Sequence, residues 1–150
     1  MIAPTINVDG LICPAKEASI PVLDRGFLYG DSVYEVFRTY RGVPLFLDDH
    51  FERLENSARL IQMQISQSRE ELLFEIKRTA NIAGVSHDED AYVRYQITRG
   101  DGQVDLYPDP NLKTRYVIIV NTLPSHNAVF YDRGMYMMIP KVRRNPANAL

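Results

Sequence analysis

Along the 150-residue chain two periodicities take turns: apolar residues alternate with polar ones in short runs, and between those runs they recur at three- and four-residue spacing. "TINVDGLI" alternates and breaks at Asp9-Gly10, a dipeptide that readily takes positive φ, which predicts a tight hairpin. After a loop around residues 24–30, the run "SVYEVFRTY", the pair Arg41-Gly42 and then "VPLFL" predict a second hairpin. Asp49 with Glu52 three residues on has the form of a capping box. Phe51, Leu54, Ala58 and Ile61 follow at helical spacing, so a helix is predicted over 49–63. A second helix starts at Ser68, with Glu71 three residues on, turns Leu72, Ile76 and Ala80 or Ala83 inward, and stops at Gly84. "AYVRYQITRG" and "TRYVIIVNTL" predict further strands, separated by "GDGQVDLYPDPN", whose Gly and Pro forbid regular structure. "PSHN" at 124–127 reads as a linker, and "GMYMMIPKVRR" reads as one more strand with no visible partner. The pattern is an α+β fold: a mostly antiparallel sheet packed with two helices, plus the first strand of another unit.

Composition narrows the function classes. A hydrophobic fraction of 45%, a charged fraction of 24% and a formal net charge of −2 describe a globular chain able to bury a core without disulfides. A mildly acidic balance argues against non-specific nucleic-acid binding, and no segment approaches the roughly 20 apolar residues of a membrane span. The single Cys13 excludes an internal disulfide and fits a reducing compartment, so a cytoplasmic location is expected. His50, His87 and His126 are too scattered for metal-ligand spacing. Ser32 lacks the glycine framing of a nucleophile elbow, and "RGDG" at 99–102 precedes no helical pattern, so it reads as a tight turn.

The run from 32 to 40 raises the question of chemistry. With side chains alternating between faces, Tyr34, Val36, Arg38 and Tyr40 share one face while Val33, Glu35, Phe37 and Thr39 share the other. In the later strand Tyr92, Arg94, Gln96 and Thr98 lie together opposite Val93, Tyr95 and Ile97. Two strands of one sheet thus offer a face with guanidinium and phenol groups, which suits a carboxylate or phosphate; a solvated sheet face accounts for the same spacing. Arg53 falls outside the apolar helical stripe, with Glu52 and Glu55 near in sequence, so from spacing alone it reads as a solvated residue.

The succession "DRGFLYGDSVYEVFRTYRGVPLFLDDHFERLENSARL" followed by "AYVRYQITRG" closely resembles the small N-terminal domain of the fold-type IV, or class IV, pyridoxal-phosphate enzymes. That family includes branched-chain aminotransferases, D-amino-acid aminotransferases and aminodeoxychorismate lyases. The resemblance implies a small α+β domain over 1–121, an interdomain linker over 122–134 and the start of the cofactor-binding domain over 135–150. In the pattern formed by His50, Arg53, Leu54, Ser57 and Ala58, it implies that Arg53 holds the phosphate of pyridoxal 5′-phosphate. It makes Tyr29, Tyr34, Val36, Arg38, Tyr92 and Arg94 substrate-pocket positions, converging with Arg53 on one anion-lined cleft. It also implies an amino acid and a 2-oxo acid as substrates, and a homodimer or larger homo-oligomer with pocket residues shared across the interface.

Two departures affect the substrate. Val36 stands where branched-chain enzymes commonly have glycine, whereas Arg38 and Arg94 look like the branched-chain group. The arginine and histidine of the D-amino-acid enzymes, expected after "TRG", are missing from "DGQVDLYPDP". A branched-chain-like L-amino acid is the leading expectation, with D-amino-acid transamination, aminodeoxychorismate cleavage and a non-catalytic ligand- or partner-binding domain as alternatives. The family's chemistry needs a lysine that forms a Schiff base with the cofactor and shuttles a proton. Lys16, Lys77, Lys113 and Lys141 are expected to be solvated, and the reactive lysine is expected just beyond Leu150. The 150-residue chain alone is therefore expected to be inactive and to be part of a longer enzyme.

Overall fold

A computed structural model of the chain describes residues 4–85, 89–123 and 128–142. Six strands, β1 (Thr5–Val8), β2 (Leu11–Pro14), β3 (Ser32–Tyr40), β4 (Val43–Pro44), β5 (Ala91–Thr98) and β6 (Arg115–Thr122), form one sheet in the order β2-β1-β6-β5-β3-β4. Every neighbouring pair is antiparallel. The helices are α1 (Arg25–Tyr29), α2 (Leu47–Leu60), α3 (Arg69–Ile82) and α4 (Val129–Arg133).

Both expected hairpins form. Asp9 and Gly10 have φ of 48° and 92°, and Arg41 and Gly42 have φ of 48° and 75°, so each turn places two consecutive residues at positive φ, as the right-handed twist of the flanking strands requires. The second helix carries the predicted capping box: Glu71 N donates to Ser68 Oγ and Ser68 N donates to Glu71 Oε2. The first does not. Helix α2 begins at Leu47, before the predicted box, and its N-cap is Phe46 at φ 50° with no side-chain hydrogen bond. Asp48 and Asp49 instead fall in the first turn, where their charge complements the positive end of the helix dipole.

Helices α2 and α3 cover one face of the sheet, α2 against β3 and α3 against β1, β6 and β5. The core between the layers joins Phe37 of β3, Val93, Tyr95 and Ile97 of β5, and Ile118 and Val120 of β6 to Phe51 and Leu54 of α2 and Leu72 and Ile76 of α3. Ala80 and Ala83 pack against this core as expected, and Thr79 joins the fully buried face of α3, where its hydroxyl accepts from Asn7 at 2.9 Å and donates to the Glu75 carbonyl. One core group is left over: the hydroxyl of the fully buried Tyr95 has no hydrogen-bond partner among the described residues. An unsatisfied buried hydroxyl costs about 1–3 kcal/mol. Tyr95→Phe is therefore expected to stabilise the protein by about 1 kcal/mol, read as a higher urea midpoint at unchanged slope; a lower midpoint would show that the hydroxyl is satisfied in solution.

Residues 134–142 depart from expectation. Helix α4 lies inside the stretch expected to be a linker, and residues 134–142 contain no strand although a strand was predicted from 134 onward. A strand needs a neighbour to receive its backbone hydrogen bonds, and none lies beside this stretch among the described residues. Its apolar side chains, Met135 through Ile139, are exposed.

Candidate active site

Glu35 is the feature that periodicity alone makes conspicuous once the sheet is assembled. It sits on the helix-covered face of β3 between Val33 and Phe37, where a carboxylate needs a cationic partner. Helix α2 supplies one. His50 and Arg53, one turn apart, both reach the same carboxylate: Arg53 Nε donates to Oε1 at 3.0 Å and Nη2 to Oε2 at 2.5 Å, and His50 Nδ1 meets Oε2 at 2.7 Å. A carboxylate only accepts, so His50 Nδ1 carries the proton in this contact, and Arg53 Nη2, 3.1 Å from that nitrogen, is a neighbour and not its donor. The His50 ring is further held against Phe37, with centroids 5.7 Å apart.

Burial pushes the Glu35 carboxyl up, but the hydrogen bonds and charges of Arg53 and His50 outweigh it and hold the group below its ordinary value. The Glu35 side chain is only 10% exposed while that of Arg53 is 62% exposed. The fork of Arg53 is thus fixed along its Nε–Nη2 edge by Glu35, while most of the side chain stays exposed. Reading Arg53 as merely solvated, beside Glu52 and Glu55, overlooked a partner 18 positions away on another element.

The expected wall of tyrosines and arginines forms on the opposite face of the same strands. Register pairs Tyr34 with Gln96, Val36 with Arg94 and Arg38 with Tyr92. The Arg94 guanidinium lies 3.8 Å over the Tyr34 ring and donates to Gln96 Oε1 at 3.0 Å, while Gln96 Nε2 donates to Ser32 Oγ at 3.1 Å. Arg38 is tied to Asp90, which also accepts from the Arg41 backbone N–H at 2.9 Å. That N–H, together with Arg38, holds the Asp90 carboxyl below its ordinary value against a smaller upward push from burial. A ligand carboxylate would have to compete with Asp90 for Arg38; Arg94 makes no ion pair among the described residues.

Arg53 and this wall do not converge on one cleft within the chain. Glu35 points to the helices and its neighbours Tyr34 and Val36 point away from them, so strand alternation sets the two groups on opposite sides of β3. Only a strand's width separates them, however. Strand β4 pairs with Thr39 and Tyr40, and the Leu45 N–H donates to the Arg38 carbonyl at 3.2 Å, so the outer edge of β3 is free from Val33 to Phe37 among the described residues, and both surfaces border that edge.

Tyr29 belongs to a third group that sequence reasoning missed. Asp24, fully buried, caps α1 through Gly26 N at 2.8 Å and accepts from Thr98 Oγ1 at 2.8 Å. Arg25 stacks on the Tyr29 ring, 4.7 Å from its centroid. Asp31 is gripped from two sides, by Arg25 Nε at 3.1 Å and by Arg99 Nε and Nη2 at 2.6 and 3.0 Å. Arg99 also donates to the Ile61 and Gln62 carbonyls at the end of α2. The signal was present as acid-arginine pairs in "DRGFLYGD" and "TRGD", but their pairing spans 68 positions.

Lys16, Lys77, Lys113 and Lys141 are all exposed, so none offers a buried amine. Among the described residues no cluster of His, Cys, Asp or Glu could hold a metal ion. His87 and His126 lie outside the described residues.

Comparison with known proteins gives the family. The family model for amino-transferase class IV matches residues 32–150. A protein of Methanocaldococcus jannaschii, provisionally named a branched-chain-amino-acid aminotransferase, is 32% identical over 97% of this chain and 48% of its own length. The aminodeoxychorismate lyase of Bacillus subtilis is 31% identical over 93% of this chain and 46% of its own. Among solved structures, a branched-chain amino acid aminotransferase of Escherichia coli superposes with a TM-score of 0.85 over 99% of this chain and 49% of its own, at 24% identity, a likeness of fold. The branched-chain aminotransferase of the thermophilic archaeon Thermoproteus uzoniensis, solved with norvaline, gives a TM-score of 0.67 at 29% identity, over 78% of this chain and 40% of its own. The chain spans about half the length of the curated relatives it matches. With the sheet order, the helix placement and a family match over most of its length, the chain belongs to the class IV aminotransferases.

Proposed function

We propose that this chain is the N-terminal part of a pyridoxal-phosphate-dependent transaminase moving an amino group between a branched-chain-like L-amino acid and a 2-oxo acid. Residues 1–121 form its small domain, 122–134 its linker and 135–150 the start of the cofactor-binding domain, and the working enzyme is a cytoplasmic homodimer or larger homo-oligomer. The observation that carries the reading is the Arg53 guanidinium, oriented by Glu35 in a chain of this family while most of its side chain stays exposed.

The donor set fits a phosphate. A guanidinium already neutralised along one edge keeps N–H groups on the other, and a planar fork of this kind suits phosphate oxygens. Arg53 would hold the phosphate, with Glu35 and His50 keeping the fork from rotating away. Pyridoxal phosphate, when bound, supplies the electron sink that stabilises negative charge at the amino acid's Cα. Across the free edge of β3, Arg94 and the phenols of Tyr34 and Tyr92 would receive the substrate, with Tyr29 and Arg38 beside them and Val36 limiting room near Arg94. The proton-shuttling amine comes from a lysine C-terminal to these residues.

Reconstitution of the full-length protein with pyridoxal phosphate tests the assignment. Arg53→Ala is expected to weaken cofactor binding about a hundredfold, since hydrogen bonds to charged groups contribute about 1.5–3 kcal/mol each. Unchanged affinity in a titration followed by absorbance would remove Arg53 from the phosphate site. Similarity to the Bacillus subtilis lyase favours a second reading, elimination of pyruvate from aminodeoxychorismate. Turnover that requires a 2-oxo acid supports the transaminase; pyruvate release without one supports the lyase.

A further inference from the structure

The two arginines of the strand wall lean in opposite directions. Across β3 and β5 the register pairs run Tyr34 with Gln96, Val36 with Arg94 and Arg38 with Tyr92. Arg94 reaches toward the first of these pairs, over Tyr34 and to Gln96. Arg38 reaches the other way, to Asp90, the residue just before β5 begins. Between the two guanidinium groups the sheet carries Val36 and Tyr92.

Asp90 is itself held from two sides. Its carbonyl accepts from Leu123 N at 2.8 Å, and its Oδ1 accepts at 2.9 Å from the N–H of Arg41, a residue of the β3–β4 turn with φ 48°. The carboxylate is thus built into the end of the sheet, and its second oxygen, Oδ2, is presented to Arg38. The Arg41 N–H, with Arg38, holds the carboxyl below its ordinary value, so it is charged wherever a substrate carboxylate is charged. The Asp90 side chain is 26% exposed and that of Arg38 47%, so the pair borders the open face and not the core. A guanidinium that already meets a fixed carboxylate must give up that partner before it can take another.

We propose that Asp90 is a positioning residue that holds Arg38 away from ligand carboxylates and so makes the wall a poor site for substrates carrying a second carboxylate. The proposal rests on the transaminase reading and adds to it the class of substrate refused: acidic amino acids and dicarboxylic 2-oxo acids bind less well than apolar monocarboxylic ones. Specificity is a difference of affinities, and occupying a cation lowers one side of that difference with no contact to the favoured substrate. Asp90 touches no reacting atom; it acts through Arg38.

Asp90→Asn tests this in the full-length enzyme loaded with pyridoxal phosphate, with glutarate and 4-methylvalerate as inhibitors of leucine transamination. The amide oxygen can still accept from the Arg41 N–H, but the ion pair with Arg38 is gone. The expected result is an inhibition constant for glutarate lowered about tenfold, the effect of one charge-assisted hydrogen bond regained, with the constant for 4-methylvalerate and kcat for leucine little changed. Equal shifts for the two acids, or none, would overturn it. Adding Arg38→Met to Asp90→Asn should cancel the gain for glutarate; a gain that persists without Arg38 would overturn the route through it. Should Asp90→Asn not fold, Asp90→Ser, whose hydroxyl can accept from the same N–H, takes its place with the same outcomes. If the wild type does not transaminate, the transaminase reading fails by itself, and calorimetric titration of both proteins with glutarate still decides the role of Asp90: tighter binding to the variant supports it, and equal binding overturns it.

Discussion

Asp31→Ala is expected to lower the unfolding free energy by about 3–5 kcal/mol, the range for removing one partner of a buried ion pair. The side chains of Arg25, Asp31 and Arg99 are all nearly buried, and the single carboxylate separates two guanidinium groups. Without it the two positive charges keep their bonds to the carbonyls of 105, 106, 61 and 62 but face each other unneutralised. Against a domain stability of about 5–15 kcal/mol such a loss is large, and a urea melt at neutral pH will measure it. Acid gives an independent check. Burial pushes the Asp31 carboxyl up, the bonds and charges of Arg99 and Arg25 outweigh it, and the folded group titrates below its ordinary 3.8. Its contribution is therefore complete above that ordinary value and fades as pH falls through the lower folded one. The gap between wild type and variant should stay constant from neutral pH down to the ordinary carboxylate range and narrow below it. A gap that stays constant in strong acid would mean that the ion pair is not the cause.

Gly100→Ala is expected to cost more than about 4 kcal/mol, the range reached only by a few mechanisms. Gly100 has φ 90°, and a Cβ built there would lie 2.0 Å from the Lys113 carbonyl oxygen, a backbone atom that cannot rotate aside. The same residue anchors α1, since its carbonyl accepts from Arg25 N at 2.9 Å. Moving the loop to make room would release Arg25 and loosen the Asp31 clamp with it. Gly30→Ala serves as the comparison: its φ is 68° but nothing lies within 4 Å, so only the left-handed backbone cost of about 1–2 kcal/mol applies. Similar urea midpoints for the two variants would show that the close approach is absent in solution.

The parts of the fold legible in the sequence share one property: they depend on neighbours a few residues away. The Asp9-Gly10 and Arg41-Gly42 turns, the Ser68–Glu71 capping box and the alternation along β3 are local, and each forms as read. The Asp49–Glu52 box failed because Phe46, in a left-handed conformation that no local rule favours for a bulky side chain, starts the helix earlier. The strand predicted from 134 failed for another reason: alternation permits a strand, but only a neighbour with free backbone groups makes one. Helix α1 is too short to carry a period, and it is held by Asp24 and by Gly100, neither of which periodicity could connect.

Residue by residue, the sequence determined which side chains share a face: Tyr34, Val36 and Arg38 on one, Glu35 and Phe37 on the other. It could not say which face the helices would cover. Covering the Glu35 face turned that carboxylate into the partner of His50 and Arg53 and left the tyrosine-arginine face open. It also put Arg53 and the wall on two sides of a free strand edge instead of in one cleft. Alternation follows from the backbone geometry of single residues, whereas the choice of covered face, and every ion pair spanning tens of positions, follows from how the whole chain buries its apolar surface.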